Sequence, residues 1–140
     1  MSKRKKKPLK ERKANSNSTY WRDKADVVFM AKFVGQPCEI CSSLGITNTY
    51  RTCGHHVVEK SISAYFRHIE QNMVVACESH HLFSNELAFH SKNLLAANAA
   101  LDWLRECRPD ALECLEVFKL PKYRGAKVDY EAVFYKYEKV

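Results

Sequence analysis

Two pairs of potential metal ligands share one spacing. Cys38 and Cys41 are three residues apart, and so are Cys77 and His80. This spacing lets two side chains converge on one ion, and structural zinc sites take four sulfur or nitrogen ligands in a tetrahedron. The first pair alone would equally suit buried thiols or a redox pair, whereas two such pairs predict a structural Cys3His zinc site. Cys53 is an alternative to one of these four ligands.

A second set of polar residues lies between and just after these pairs. His55 and His56 follow Gly54, Asn72 comes 16 residues after His56, and His81 comes nine residues after Asn72. A doubled histidine by itself is more often a surface dipeptide than a catalytic one. In this order, interlocked with the candidate zinc ligands, the residues resemble the HNH (ββα-metal, His-Me finger) endonuclease family. Its fold is a zinc-stapled hairpin followed by a helix.

The resemblance covers residues 38–90 and implies a role for each position. His56 matches the family's general base, because a neutral imidazole can accept a proton from water. His55 and His81 match the ligands of one catalytic divalent ion, and Asn72 matches the residue whose amide holds the connecting loop. The implied ion is Mg²⁺, Mn²⁺, Co²⁺, Ni²⁺ or Zn²⁺, and imidazole ligands suit the transition metals better than Mg²⁺.

A narrower similarity points to phage proteins. Arg67, Asn72, the Cys77 pair and the segment Leu82-Phe83-Ser84-Asn85 look like the phage NinG/Rap recombination proteins, which are associated with cleavage of branched DNA. The chain departs from that pattern at His80-His81, where a cysteine followed by asparagine would be typical. The remaining histidines, at positions 68 and 90, match no motif position and are predicted to be surface residues.

The positive charge is concentrated at the N-terminus. Residues 1–13 carry eight basic residues and one acidic residue, so this segment alone accounts for the formal net charge of +7. Such a dense block of like charge does not fold by itself and suits a nucleic-acid backbone, although a merely solubilising tail is the alternative. The predicted nucleic-acid contacts are Lys3, Arg4, Lys5, Lys6 and Lys7 of this tail and, near the hairpin, Arg51, Lys60 and Arg67.

The elements that must position these residues follow from apolar periodicity and turn residues. Together they predict the α+β class: a small zinc-stapled ββα-metal module with flanking helices. The predicted strands are residues 46–51 and 72–76, joined by the segment 57–71. The predicted helices are residues 19–34, a helix from position 78 that carries Leu82, Phe83, Leu87 and Phe89, residues 93–107, a helix from Pro109, and residues 129–137.

The predicted organisation is a disordered basic tail, residues 1–18, followed by one nuclease domain, residues 19–140. The domain has its core at residues 38–90 and a helical extension at residues 91–140. No run of about 18 apolar residues and no secretory signal is evident, so we expect a cytoplasmic protein without a membrane partner. Six cysteines in that compartment favour metal binding over disulfides.

The function expected from these features is that of a metal-dependent DNA endonuclease or nickase, acting in phage or mobile-element recombination or processing. Its partner would be double-stranded or branched DNA, and its oligomeric state is open. The alternative is a noncatalytic zinc module that binds nucleic acid as an adaptor.

Overall fold

The structure of this protein, a computed structural model, describes residues 15–47, 51–84 and 86–139. These residues form a small α+β protein with a two-stranded antiparallel sheet and a cysteine–histidine cluster. None of the described helices is long and apolar enough to cross a membrane. The elements in chain order are α1 (Thr19–Ala31), α2 (Glu39–Ser43), β1 (Thr52–His56), β2 (Met73–Cys77), α3 (Leu94–Cys107), α4 (Pro109–Val117) and α5 (Tyr130–Glu138). A 3₁₀ turn (Glu70–Asn72) precedes β2, and a π-helical turn (Ser79–Phe83) follows it.

The described residues fall into two compact units. The first unit contains residues 15–32 and 127–139, with helices α1 and α5. The second contains the described residues between Phe33 and Ala126, with both strands and the other helices. The helical extension predicted for the end of the chain is therefore divided, since α3 and α4 belong to the second unit and α5 to the first.

Helix α1 begins as predicted and ends earlier. Ser18 caps it by accepting a hydrogen bond from the backbone N–H of Trp21 at 3.5 Å. The helix ends at Ala31, not Val34, because the chain turns there and reaches Gly35, whose φ of +78° favours glycine. Residues 1–14 of the predicted tail lie outside the described residues. Among them are the expected nucleic-acid contacts Lys3, Arg4, Lys5, Lys6 and Lys7.

The first unit is held by aromatic packing between α1 and α5. The rings of Phe29 and Tyr137 lie 5.1 Å apart, and those of Trp21 and Phe134 lie 5.7 Å apart. Helix α5 begins after Asp129, whose carboxylate accepts a hydrogen bond from the N–H of Ala132 at 3.0 Å. The last helix, predicted over residues 129–137, is thus present, with Asp129 as its N-cap.

Strand β1 lies further along the chain than predicted. The prediction of a strand at residues 46–51 rested on β-branched residues, yet Ile46 is half exposed and residues 48–50 lie outside the described part. The observed strand pairs Thr52 with Cys77 and His56 with Met73. Strand position depends on the partner as well as on propensity, and here the partner is β2, which is buried along its whole length.

The helix predicted from position 78 is a single π-helical turn. It closes with a hydrogen bond of 2.7 Å from the N–H of Ser84 to the carbonyl of Ser79. Leu87 and Phe89 lie beyond its end, in an irregular segment that packs against the core, and the side chain of Phe83 lies outside the described residues. Apolar spacing alone therefore overstated the length of this helix.

The core of the second unit surrounds β2 and the cysteines. Helices α3 and α4, which the sequence predicted, contribute Trp103, Leu104 and Ala111 to it. The other buried members are Cys38, Ile40, Cys41, Val57, Val74, Ala76 and Cys77.

An ion pair joins α2 to this core. The guanidinium of Arg108 donates to the carboxylate of Glu39 at 2.7 Å and to the carbonyl of Met73 at 3.0 Å. The other carboxylate oxygen of Glu39 accepts from the N–H of Val75 at 2.7 Å. This network positions the start of α2, which carries two of the predicted zinc ligands, beside β2, which carries a third.

Candidate metal centre and active site

The four predicted zinc ligands come together in the second unit. The Nδ1 atom of His80 lies 3.3 Å from the sulfur of Cys77, 3.4 Å from that of Cys41 and 3.7 Å from that of Cys38. The sulfurs of Cys41 and Cys77 are 3.8 Å apart. A zinc tetrahedron with bonds of about 2.3 Å to sulfur and about 2.0 Å to nitrogen has edges of about 3.5–3.8 Å. The donor set and its spacing therefore fit a structural zinc ion.

Local structure explains how these side chains converge. Cys38 is the N-cap of α2, and its sulfur accepts from the N–H of Cys41 at 3.4 Å, which folds the first pair into a tight turn. Cys77 ends β2, and the π-helical turn directly after it brings His80 back beside it. The three cysteines are almost fully buried, so an ion bound between them would be shielded from solvent.

Cys53, the alternative zinc ligand, lies elsewhere. Its sulfur is 3.7 Å from Nδ1 of His81 and is not part of the Cys3His cluster. Burial raises the pKa of the Cys53 thiol, and the negative charge of Glu78 adds to the rise. The cluster is therefore completed by His80, with Cys53 beside the neighbouring histidine.

A second group of candidate ligands lies next to the first. Nitrogen atoms of His55, His81 and His90 lie within 4.8 Å of one another. His55 is buried, His81 is half-buried and His90 is exposed, so the group opens to solvent on one side. A cavity of about 210 Å³ lies against His55 and His90. Three imidazoles with an open side suit a transition metal that keeps positions free for other ligands.

The chain reaches this arrangement by folding back after the π-helical turn. The N–H of Phe89 donates to the carbonyl of His80 at 3.0 Å, and that of His90 donates to the carbonyl of His81 at 2.9 Å. The ring of Phe89 stacks on His55 with centroids 4.4 Å apart. These contacts set His90 against both other histidines, although it matches no position of the motif.

Burial and mutual repulsion favour the neutral form of His55 and His81. Burial lowers the pKa of His55 to about 3, and repulsion from His90, His81 and His56 adds to the effect. Burial also lowers the pKa of His81, again with a contribution from His90. A neutral imidazole offers a lone pair to a metal, so the desolvation that disfavours the charged form also prepares these side chains as ligands.

His56 lies on the other side of the strand from His55, because successive side chains of a strand alternate. Its Nε2 atom is 2.9 Å from the carbonyl oxygen of Arg67. A carbonyl only accepts hydrogen bonds, so Nε2 carries the proton and Nδ1 carries the lone pair. Burial lowers the pKa of His56, whereas the bond to Arg67 raises it. The net direction is downward, which leaves a neutral imidazole.

Asn72 is fully buried and holds the loop that carries Arg67. Its Oδ1 accepts from the N–H of Val58 at 2.7 Å, and its Nδ2 donates to the carbonyls of Val58 at 3.0 Å and Phe66 at 3.1 Å. The backbone carbonyl of Asn72 also accepts from Val57. One side chain thus ties both ends of the loop between the strands to the start of β2.

The predicted basic contacts of the hairpin are not brought together. Lys60 and Arg67 lie close enough to His56 for their charges to lower its pKa. Arg51 precedes the other end of β1, where its carbonyl accepts from the N–H of Glu78 at 3.2 Å. Lys60 and Arg67 are therefore placed beside the candidate base, and Arg51 beside the cysteine–histidine cluster.

Sequence reasoning missed His90 and misjudged His68. His90 is exposed as expected, but it belongs to the three-histidine group, and its separation from His81 along the chain carried no signal of that contact. His68 was predicted to lie on the surface, whereas it is only 5% exposed. Burial of the loop that Asn72 organises accounts for the difference.

Comparison of the chain with protein-family models, with curated proteins and with solved structures found no match.

Proposed function

We propose that this protein is a metal-dependent DNA endonuclease or nickase of the HNH (ββα-metal) type. The observation that carries the proposal is the group His55, His81 and His90, whose nitrogen atoms lie within 4.8 Å of one another. His56 directly follows His55 in β1, and its Nε2 is anchored by the carbonyl of Arg67. The order of His56, Asn72 and His81 along the chain resembles the family, and the zinc-compatible cluster stands beside them.

The chain's own residues divide the chemistry between them. His55, His81 and His90 would hold the catalytic ion, which when bound supplies electrostatic stabilisation to the scissile phosphate and to the departing oxygen. His56 would take a proton from the attacking water at Nδ1, since its Nε2–H is engaged by the carbonyl of Arg67.

The remaining residues act by position. Asn72 would keep the loop, and with it the carbonyl of Arg67, in place, so that the base stays aimed. The cluster of Cys38, Cys41, Cys77 and His80 would bind a structural zinc ion, because four protein ligands leave no position for water or substrate.

The ligand set indicates which ion would work. Mg²⁺ prefers oxygen ligands, whereas imidazole suits Zn²⁺, Ni²⁺, Co²⁺ and Mn²⁺. The third imidazole from His90 strengthens this preference over the two expected from the sequence. We expect the transition metals to support cleavage better than Mg²⁺, and His90→Ala to weaken the ion's binding without removing zinc from the cysteine cluster.

A plasmid assay tests the function. Zinc-loaded protein is incubated with supercoiled plasmid and each of Mg²⁺, Mn²⁺, Co²⁺, Ni²⁺ and Zn²⁺, and nicked and linear products are quantified. The informative variant is His56→Gln, because glutamine keeps an N–H donor for the Arg67 carbonyl but does not act as a base. We expect it to retain its fold and zinc content and to lose about 10²–10⁴-fold in rate.

Two results would contradict the proposal. Undiminished cutting by His56→Gln would remove His56 from the role of base. Absence of cutting with every metal, together with retained binding of nucleic acid, would instead support the noncatalytic adaptor.

A further inference from the structure

A second, larger cavity lies between the loop of residues 57–71 and the chain that follows α4. Its volume is about 620 Å³, within the range of about 300–1,000 Å³ typical of ligand pockets. One wall is the loop segment 61–64, and the other is formed by residues 118–119 and 123–126. We call it the loop cavity.

An aromatic cluster forms part of the loop cavity and its rim. Tyr123 lines the cavity, and its ring centroid is 4.6 Å from that of Tyr65 and 5.0 Å from that of Phe66. Phe66 is buried, whereas Tyr65 is 38% exposed. The buried ring fixes the two tyrosines, so a flat apolar ligand could stack on them without first ordering mobile side chains.

Cations surround these rings. Lys119 and Arg124 line the loop cavity and are exposed, and the ammonium group of Lys122 lies 4.8 Å from the centroid of the Tyr123 ring. Among the described residues, the lining contains no carboxylate, and these three cations form no ion pair. A concave surface that combines positive charge with the half-buried ring of Tyr123 complements phosphates and bases together.

We propose that the loop cavity binds an unpaired, single-stranded segment of nucleic acid, with a base against Tyr123 and the phosphates on Lys119 and Arg124. Bases in a duplex are stacked within the helix and do not reach a recessed ring, whereas an unpaired base can enter a cavity and stack on it. Phosphate charge alone would serve a duplex equally well, so the recessed tyrosine is what favours a single strand.

The loop that forms one wall of the cavity also contacts the candidate base, His56. The wall at residues 61–64 and the Arg67 carbonyl that contacts His56 belong to the same loop, and Asn72 anchors that loop through Phe66. A strand held in the cavity would therefore lie on the segment that orients His56. That this strand is part of the substrate rests on the proposed nuclease function, whereas the binding itself does not.

Fluorescence anisotropy on the zinc-loaded full chain tests the binding. The probes are a labelled oligothymidylate of about 12 nucleotides, within the footprint of one single-strand-binding domain, and a labelled mixed-sequence duplex of the same length. The His56→Gln background prevents cutting. The basic N-terminus is unchanged in every variant, so its contribution is common to all measurements.

The charge variant is Lys119→Gln with Arg124→Gln, and its control is Arg105→Gln with Lys136→Gln, which removes two exposed charges that do not line the cavity. Each phosphate contact adds about 0.7 to the slope of log K against log salt for single strands. Loss of two contacts should lower the slope by about 1.4 and weaken single-strand binding roughly tenfold near 0.15 M salt. The control should change the salt slope and the single-strand affinity by less than half as much as the charge variant does.

The aromatic variant separates base stacking from charge. Tyr123→Leu keeps an apolar contact for Phe66 but removes the ring, and Tyr123→Phe keeps the ring. Stacking on one base is worth about 1–3 kcal/mol, so Tyr123→Leu should lose between about fivefold and about 150-fold in single-strand affinity. Tyr123→Phe should bind nearly as well as the unsubstituted chain.

The proposal holds if the charge variant weakens single-strand binding more than its control does, and if the loss in Tyr123→Leu is confined to the single strand. It is overturned if Tyr123→Leu weakens duplex binding as much as single-strand binding, if the charge variant matches its control, or if Tyr123→Leu binds like Tyr123→Phe. If the variants show the expected losses in single-strand binding but the protein cuts no plasmid, this inference stands and the nuclease function is contradicted. If the protein cuts plasmid but no variant changes single-strand binding, the nuclease function stands and this inference is contradicted.

Discussion

Replacing Asn72 by alanine should destabilise the second unit more than almost any other single change to a polar side chain. The side chain is fully buried and makes three hydrogen bonds to the backbone of the loop, two to Val58 and one to Phe66. Alanine leaves the N–H of Val58 without its acceptor and removes the donor from two carbonyl groups.

The expected cost follows from those three partners. A buried backbone group that loses its hydrogen bond costs about 1–3 kcal/mol, and an unpaired carbonyl costs less than an unpaired N–H group. With one N–H and two carbonyls affected, we expect the free energy of unfolding to fall by about 3–5 kcal/mol. The whole stability of a domain is about 5–15 kcal/mol, so the variant should be folded only marginally.

Urea unfolding of the zinc-loaded protein measures the loss, and native-state hydrogen exchange locates it. The Val58 amide should exchange much faster in Asn72→Ala than in the unsubstituted chain. Asn98→Ala is the matched control, because Asn98 is exposed on α3 and its replacement should change stability by no more than about 0.5 kcal/mol. A cost below about 1 kcal/mol for Asn72→Ala, or a Val58 amide that stays protected, would refute this account of the loop.

Four further changes have defined outcomes. Removing zinc with a chelator should unfold the second unit, because structural zinc contributes about 10–16 kcal/mol; an unchanged near-ultraviolet circular dichroism spectrum would contradict this. Cys77→Ser should lower the zinc content, measured by elemental analysis, and retention of full zinc would exclude Cys77 as a ligand. Arg108→Lys should cost about 1–3 kcal/mol in urea unfolding, because the single nitrogen of lysine cannot replace both the Nη1 bonds to Glu39 and the Met73 carbonyl and the Nε and Nη2 bonds to Asp110; a loss no larger than that of Arg105→Lys would contradict it. Burial raises the pKa of Cys114 from 9.0 to about 11, so its contribution to stability is full below pH 9 and is lost as the pH rises towards 11. Cys114→Ala should therefore show a smaller decline in stability over that interval, and an identical decline would be inconsistent with the burial of this thiol.

The zinc-compatible cluster was readable from sequence because its geometry is local. A three-residue spacing brings Cys38 to Cys41 and Cys77 to His80 through a single turn each, whatever the rest of the chain does. The helices α3, α4 and α5 were predictable for a similar reason, since each begins at a residue suited to a helix start and repeats its apolar positions at helical spacing.

Other elements depend on contacts between distant parts of the chain. Strand β1 lies where β2 pairs with it, and no property of residues 46–51 reveals that partner. The ion pair of Glu39 with Arg108 joins residues far apart in sequence, and the buried position of His68 follows from a loop that Asn72 closes. Propensity describes a segment by itself, whereas these features arise only when segments meet.

The sequence by itself determined the types and order of the chemical groups: four zinc-type ligands in two local pairs, and a doubled histidine followed by Asn72 and His81. The predicted division of the histidines, with His80 among the cysteines and His81 beside His55, is present in the structure. Only the tertiary structure added His90, through the backbone bonds that fold the chain back on itself. The physical reason is that ligand type is a property of one residue, whereas a shared site forms only when backbone contacts bring several chain segments together.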